Sequence, residues 1–153
     1  MSIKKFHFSL QKLLEMREAR EKEIKHELAA LLALQNAERV RQDSLRHAIH
    51  EQETRHRDRM FRGTARVDDA LLFERFVTSS LRAIEAAEVK IRSMEPGIQE
   101  VRDRLVIASR ERKIVDKLKE RKLEEYTYLL NREIAKENDD MNQKIYGRKK
   151  MER

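Results

Sequence analysis

Cysteine is absent from this 153-residue chain, which excludes disulfides and thiolate metal sites. Proline occurs once, at Pro96, and glycine at Gly63, Gly97 and Gly147 only. So few turn-forming residues cannot build a globule with many turns. Aromatic residues make up 5% of the chain, and no apolar run is long enough to span a bilayer. The opening Met1-Ser2-Ile3-Lys4-Lys5-Phe6-His7-Phe8 has two lysines but no apolar core, so it does not read as a secretory signal. A cytoplasmic protein is expected. No glycine-rich phosphate loop is present, so the chain itself is not expected to bind ATP.

What remains is charge and helical periodicity. Charged residues account for 41% of the sequence, with a formal net charge of +7. Such a composition suits long helices or coiled coil. It also raises the alternative of disorder, but Leu, Ile and Val recur at helical rather than random spacing. The basic excess favours acidic partners: protein surfaces, nucleic acid or anionic lipid.

The stretch Phe61-Arg62-Gly63-Thr64-Ala65-Arg66-Val67-Asp68-Asp69 organises the chain. Gly63 is suited to end a helix with a positive φ, and Asp68 is placed to cap the next one. The spacing predicts a helix over about 9–60, starting at Ser9, a turn over 61–69, and a second helix over about 70–146. Pro96 predicts a kink or a break near 94–97, and residues 147–153 read as a frayed tail. The expected architecture is all-α: one domain over 1–153, an elongated antiparallel two-helix coiled-coil hairpin with the second helix longer. In the first helix Leu10, Leu13, Leu14, Ile24, Leu28, Leu31, Leu32 and Leu34 form a stripe that thins from Gln35 to Arg59, where loose packing or an offered face is expected.

The arms are unequal. If the chain folds back at residues 64–65, paired positions add to about 129, so Phe6 and Phe8 reach Leu123 and Tyr126. Beyond them the second helix has no partner from its own chain, yet it carries Leu129, Leu130, Ile134, Met141 and Ile145. At ~1.5 Å per residue this end is about 30 Å of single helix. Such a helix is marginal alone in water, so the stripe reads either as a docking element or as a fraying end. Arg132 and Lys136 flank it.

Other groupings carry less. His47, His50 and His56 lie on one helix without converging ligands, and read as a solvated polar face rather than a metal site. Glu133, Glu137, Asp139 and Asp140 lack a cation-binding loop and read as a solvated acidic segment. Lys117-Leu118-Lys119-Glu120-Arg121-Lys122 and Arg148-Lys149-Lys150 are basic, but acidic residues are interleaved through the helices and the first cluster lacks a stacking platform. A helix lying on a membrane is disfavoured by the narrow apolar face. No catalytic residue, cofactor or metal is expected.

Two ends of the chain carry a resemblance. Lys5-Phe6-His7-Phe8-Ser9-Leu10-Gln11-Lys12-Leu13-Leu14-Glu15-Met16-Arg17 resembles the opening of FliJ-family flagellar export proteins. Val115-Asp116-Lys117-Leu118-Lys119-Glu120-Arg121, then Tyr126, Arg132-Glu133 and Asp139-Asp140, resemble the closing segment of the same family. Phe73-Glu74-Arg75-Phe76-Val77 and Ala83-Ile84 fit its middle. Ser80 departs from the family pattern, standing where a large apolar residue is usual, and Pro96-Gly97 interrupt a helix that is usually continuous.

The resemblance implies a non-enzymatic coiled coil similar to the stalk of rotary ATPases, working in flagellar type III export. Its implied partners are the export ATPase hexamer, the cytosolic domain of the export-gate membrane protein and substrate chaperones. Its implied place is the cytoplasm, peripherally at the inner face of the cell membrane at the flagellar base, with no direct membrane insertion and no nucleic acid. Leu129, Leu130, Arg132, Ile134, Lys136 and Met141 then become the candidate ATPase-docking residues. Phe76, Ala83 and Ala87 match the family's export-gate patch, and Gln42 and Ile49 join it by register. The alternatives are a generic cytoplasmic coiled-coil scaffold or a basic nucleic-acid-binding coiled coil.

Overall fold

The computed structural model describes residues 4–151, which form two helices: α1, Gln11–Phe61, and α2, Val67–Met151. Met1, Ser2 and Ile3 of the segment read for a signal, and the last two positions of the expected tail, lie outside the described residues. The helices pack against each other as an all-α antiparallel hairpin. The chain forms two compact units, Lys22–Val106 and the described part of Met1–Glu21 with Ile107–Arg153.

In the unit Lys22–Val106, the turn explains itself residue by residue. Gly63 adopts φ 69°. Its N–H donates to the Met60 carbonyl at 3.3 Å, and the Thr64 N–H donates to the Arg59 carbonyl at 3.0 Å. This pair of bonds is the Schellman closure of a helix end. α2 then starts at Val67, earlier than expected, and Asp68 is not its cap. Asp69 takes that part: its carboxylate accepts the Arg66 N–H at 3.3 Å, the return bond of a capping box.

Three other expectations change. α1 begins at Gln11 and Ser9 lies in the turn before it. That start is built from backbone bonds, Gln11 N–H to Phe8 carbonyl at 3.1 Å and Leu14 N–H to Leu10 carbonyl at 3.0 Å. No break occurs at 94–97, because α2 runs through Pro96. Arg92, whose carbonyl loses its usual donor to proline, is exposed, so water can serve that carbonyl. Ile91, Val101 and fully buried Ile98 hold the flanking turns in the core. Finally, α2 extends to Met151, where a frayed tail was expected. Arg148, Lys149 and Lys150 sit in its last turn, where positive charge complements the helix dipole.

The inward positions of the same unit follow a seven-residue repeat. On α1 they are Leu28, Gln35, Gln42, Ile49 and His56, alternating with Ile24, Leu31, Glu38, Leu45 and Gln52. On α2 they are Val77, Ile84, Ile91, Ile98 and Leu105, alternating with Phe73, Ser80, Ala87, Met94 and Val101. Polar side chains therefore occupy core positions, and the thin part of the stripe packs through them. Gln35 donates to the Ile91 carbonyl at 3.5 Å and to Glu95 at 2.9 Å. Gln42 does the same one repeat away, to the Ile84 carbonyl at 3.0 Å and to Glu88 at 3.1 Å. Lys90 donates to Glu38, whose other carboxylate oxygen is buried without a partner. Ser80, the departure from the family pattern, is buried.

In the other unit, Phe8, Leu14 and Val115 make the core, with Phe6 and Leu13 packed on it. Buried Glu21 accepts from Arg112, which also pairs with Asp116, and Arg17 pairs with Glu111. In both units the observed pairs fall within a few residues of the register expected from a fold at 64–65.

Candidate docking surfaces

In the unit containing the chain ends, residues 4–8 lie along α2. The Tyr126 hydroxyl donates to the Lys4 carbonyl at 2.7 Å, and the Phe6 and Tyr126 rings meet at 5.6 Å between centroids, tilted by 51°. A cavity of about 430 Å³ opens there, walled by Phe6, Phe8, Leu118, Tyr126 and Leu129, with Lys4, Lys5 and Lys122 among its polar residues. Lys122 is tied to Glu125 at 2.9 Å.

Past this contact α2 continues alone within the unit. Leu130 is half-buried, and every residue from 131 to 151 is exposed. The predicted docking set lies here: Leu129 is 56% exposed, Ile134 40% and Met141 58%, with Arg132 and Lys136 also exposed. Ile145 and Tyr146 extend the exposed apolar residues. Glu133, Glu137, Asp139 and Asp140 are exposed as well.

The predicted export-gate set divides. Gln42 and Ala87 are buried between the helices of Lys22–Val106. Ile49 and Ala83 are half-buried, and Phe76 reaches solvent. The side chain of Gln42 is spent on Ile84 and Glu88, so of this set Phe76 presents the most surface. The histidines do not converge: His56 stacks on Phe73 at 4.6 Å with planes 5° apart, while His47 lies 3.3 Å from Glu51. Among the described residues no group of three His, Cys, Asp or Glu is placed to hold a metal.

Electrostatics follow the polar layers. The hydrogen bond from Lys90 holds the Glu38 carboxyl below its ordinary range. Bonds from Gln42 and then Arg92 do the same for Glu88. Glu21 raises Arg112 and Glu27 raises Arg104, each first through its hydrogen bond. Sequence reasoning missed these layers. Their signal was present as Gln35, Glu38 and Gln42 at heptad positions, where an apolar side chain is the usual occupant.

The sequence profile of a family described as "Flagellar FliJ protein" matches residues 6–151. The chain belongs to the FliJ family. Neither the curated proteins nor the solved structures give a significant match. FliJ-family membership makes this chain a component of the flagellar protein export apparatus, in a family that is non-enzymatic. Both candidate surfaces lie inside the FliJ-matched span. Among the described residues no helix is long and apolar enough to cross a membrane.

Proposed function

We infer that this FliJ-family chain is a stalk and adaptor of flagellar type III export, docking into the export ATPase ring through the end of α2. The observation that carries this reading is an apolar stripe that stays exposed among the described residues. Leu129, Ile134 and Met141 are exposed on a helix that has outrun α1, and an amphipathic helix gains by burying such a face. Arg132 and Lys136 supply charge beside it. The export gate's cytosolic domain meets the chain around Phe76, with Ala83 and Ile49 beside it, while Gln42 and Ala87 shape that face from within. Substrate chaperones are further partners, and the working place is the inner face of the cell membrane at the flagellar base.

The test removes residues 131–153 from the full chain and measures ATPase co-sedimentation and turnover, with circular dichroism as the folding control. The paired regions should keep their helicity, because they bury their cores without this segment. Binding and stimulation should be lost. Leu130→Ser with Ile134→Ser should weaken docking without unfolding the protein, since each buried aliphatic side chain contributes on the order of 1.5–3 kcal/mol. A truncated chain that binds and stimulates the ATPase like the intact one would move the docking role to the Phe6/Phe8 region or to the helix–helix turn.

A further inference from the structure

The turn between α1 and α2 exposes more apolar surface than a solvated connection needs. Phe61, the last residue of α1, is 95% exposed, and Met60 before it 62%. Val67, the first residue of α2, is 79% exposed and Leu71 50%. Arginines stand among them. Arg57, Arg62 and Arg66 make no ion pair with any described residue, whereas Arg59 lies 4.0 Å from Asp69. With Arg59 they outnumber Asp58, Asp68 and Asp69.

Part of the backbone here is satisfied within the turn. The Met60 and Arg59 carbonyls accept from Gly63 and Thr64, and the Arg66 N–H is held by Asp69. Each backbone group bonded internally loses less on leaving water. The carboxylate of Asp69 is occupied by that same bond and by Arg59.

We propose that this turn is a wedge for an anionic lipid surface. Phe61 and Met60 enter the boundary between headgroups and acyl chains, and Arg57, Arg62 and Arg66 hold lipid phosphates from the rim. The helices have too narrow an apolar face to lie in a bilayer, but a wedge needs only its tip. Arginine is suited to the rim, because its stem packs on apolar surface while its head stays with phosphate. A lipid interface also accepts protruding side chains without a matching socket. The cavity beside the turn, about 270 Å³, is walled by Gln52, Arg55, Arg59 and Asp69 as well as Leu72, Phe73 and Phe76, so it is a mixed socket rather than a dry one. The inference stands apart from ATPase docking, which uses the other end of α2.

The chain has no tryptophan, so Phe61→Trp installs a single reporter at a site where no packing is lost. The probe is a vesicle of phosphatidylglycerol and phosphatidylcholine in equal parts, with pure phosphatidylcholine as control. Emission of the Phe61→Trp protein should shift to the blue on the anionic vesicles and not on the neutral ones. Leu34→Trp, in mid-α1 and 60% exposed, should stay unshifted. Phe61→Ser should weaken vesicle co-sedimentation by about tenfold or more. Arg62→Gln with Arg66→Gln should weaken it by roughly tenfold at low salt, and added salt should weaken it further. Unshifted emission from the Phe61→Trp protein, with the protein nonetheless co-sedimenting, would assign adsorption to other basic segments and overturn the proposal. So would equal shifts at both reporters, or a shift produced by the export gate's cytosolic domain and not by vesicles.

Discussion

Pro96 shows how a single residue is overruled. A proline inside a helix costs roughly 3 kcal/mol from the lost bond and the clash with the preceding turn. Here it sits on the exposed side while Ile98, two positions on, is completely buried. Core packing on either side offsets the local penalty, and the helix continues. Pro96→Ala should therefore raise the melting temperature, by an amount matching roughly 1–3 kcal/mol. Thermal melts of the two proteins decide it, and a clear loss of stability would show that proline is favoured at this place. Gly63 is the opposite case, a residue whose local preference decides the fold: its positive φ lets two backbone bonds close α1.

Between α1 and α2 the polar layers do what an all-leucine seam cannot. Gln35 and Gln42 each bond a backbone carbonyl and a glutamate on the facing helix, one heptad apart on both sides. Polar core residues in coiled coils specify register and partner number at a cost in stability. Replacing both glutamines by leucine should raise the melting temperature and at the same time populate dimers or larger species in size-exclusion chromatography with light scattering. A double variant that stays monomeric with unchanged stability would remove the registry role. The same layers predict an acid response. Glu38 and Glu88 are both held below their ordinary value of 4.5 in the folded chain. Their stabilising share is present above that value and is lost as pH falls through the lower folded values. Melting temperature should be level from neutral pH to about 5 and decline below about 4. Gln42→Leu should blunt that decline, because it removes the largest cause of the Glu88 shift. Equal acid sensitivity in both proteins would argue against this origin.

For the molecule as a whole, the matter is which surfaces are left over once the helices have satisfied each other. The end of α2 retains Leu129, Ile134 and Met141 with Arg132 and Lys136, and the turn retains Phe61 among arginines. Attraction between a basic chain of net charge +7 and an acidic partner acts mainly on association rate and falls with salt. Arg132→Glu with Lys136→Glu should slow association with the export ATPase and flatten its salt dependence, while circular dichroism stays unchanged. Stopped-flow binding across a salt series measures this. A variant with the parental salt slope would show that these two charges do not face the ATPase.

The sequence by itself determined the all-α hairpin, the place of its turn, the approximate register and the mismatch of the arms. These rest on the scarcity of Gly and Pro, the spacing of aliphatic residues and chain length, all of which act locally or along one face. The family was legible too, in the aromatic opening and the basic, leucine-bearing close. Tertiary structure decided the rest. Only packing carries a helix through Pro96, because the compensation comes from Ile91, Ile98 and Val101, which are buried only once the helices pair. Only the facing helix turns Gln35, Glu38 and Gln42 from an apparent gap in the stripe into bonded core layers, because a buried amide is tolerated when its partners are in place. And only the paired helices reveal that Gln42 and Ala87 are interior while Phe61 and Phe76 reach solvent. One chain's periodicity names a face, but not which residues on that face the partner helix covers.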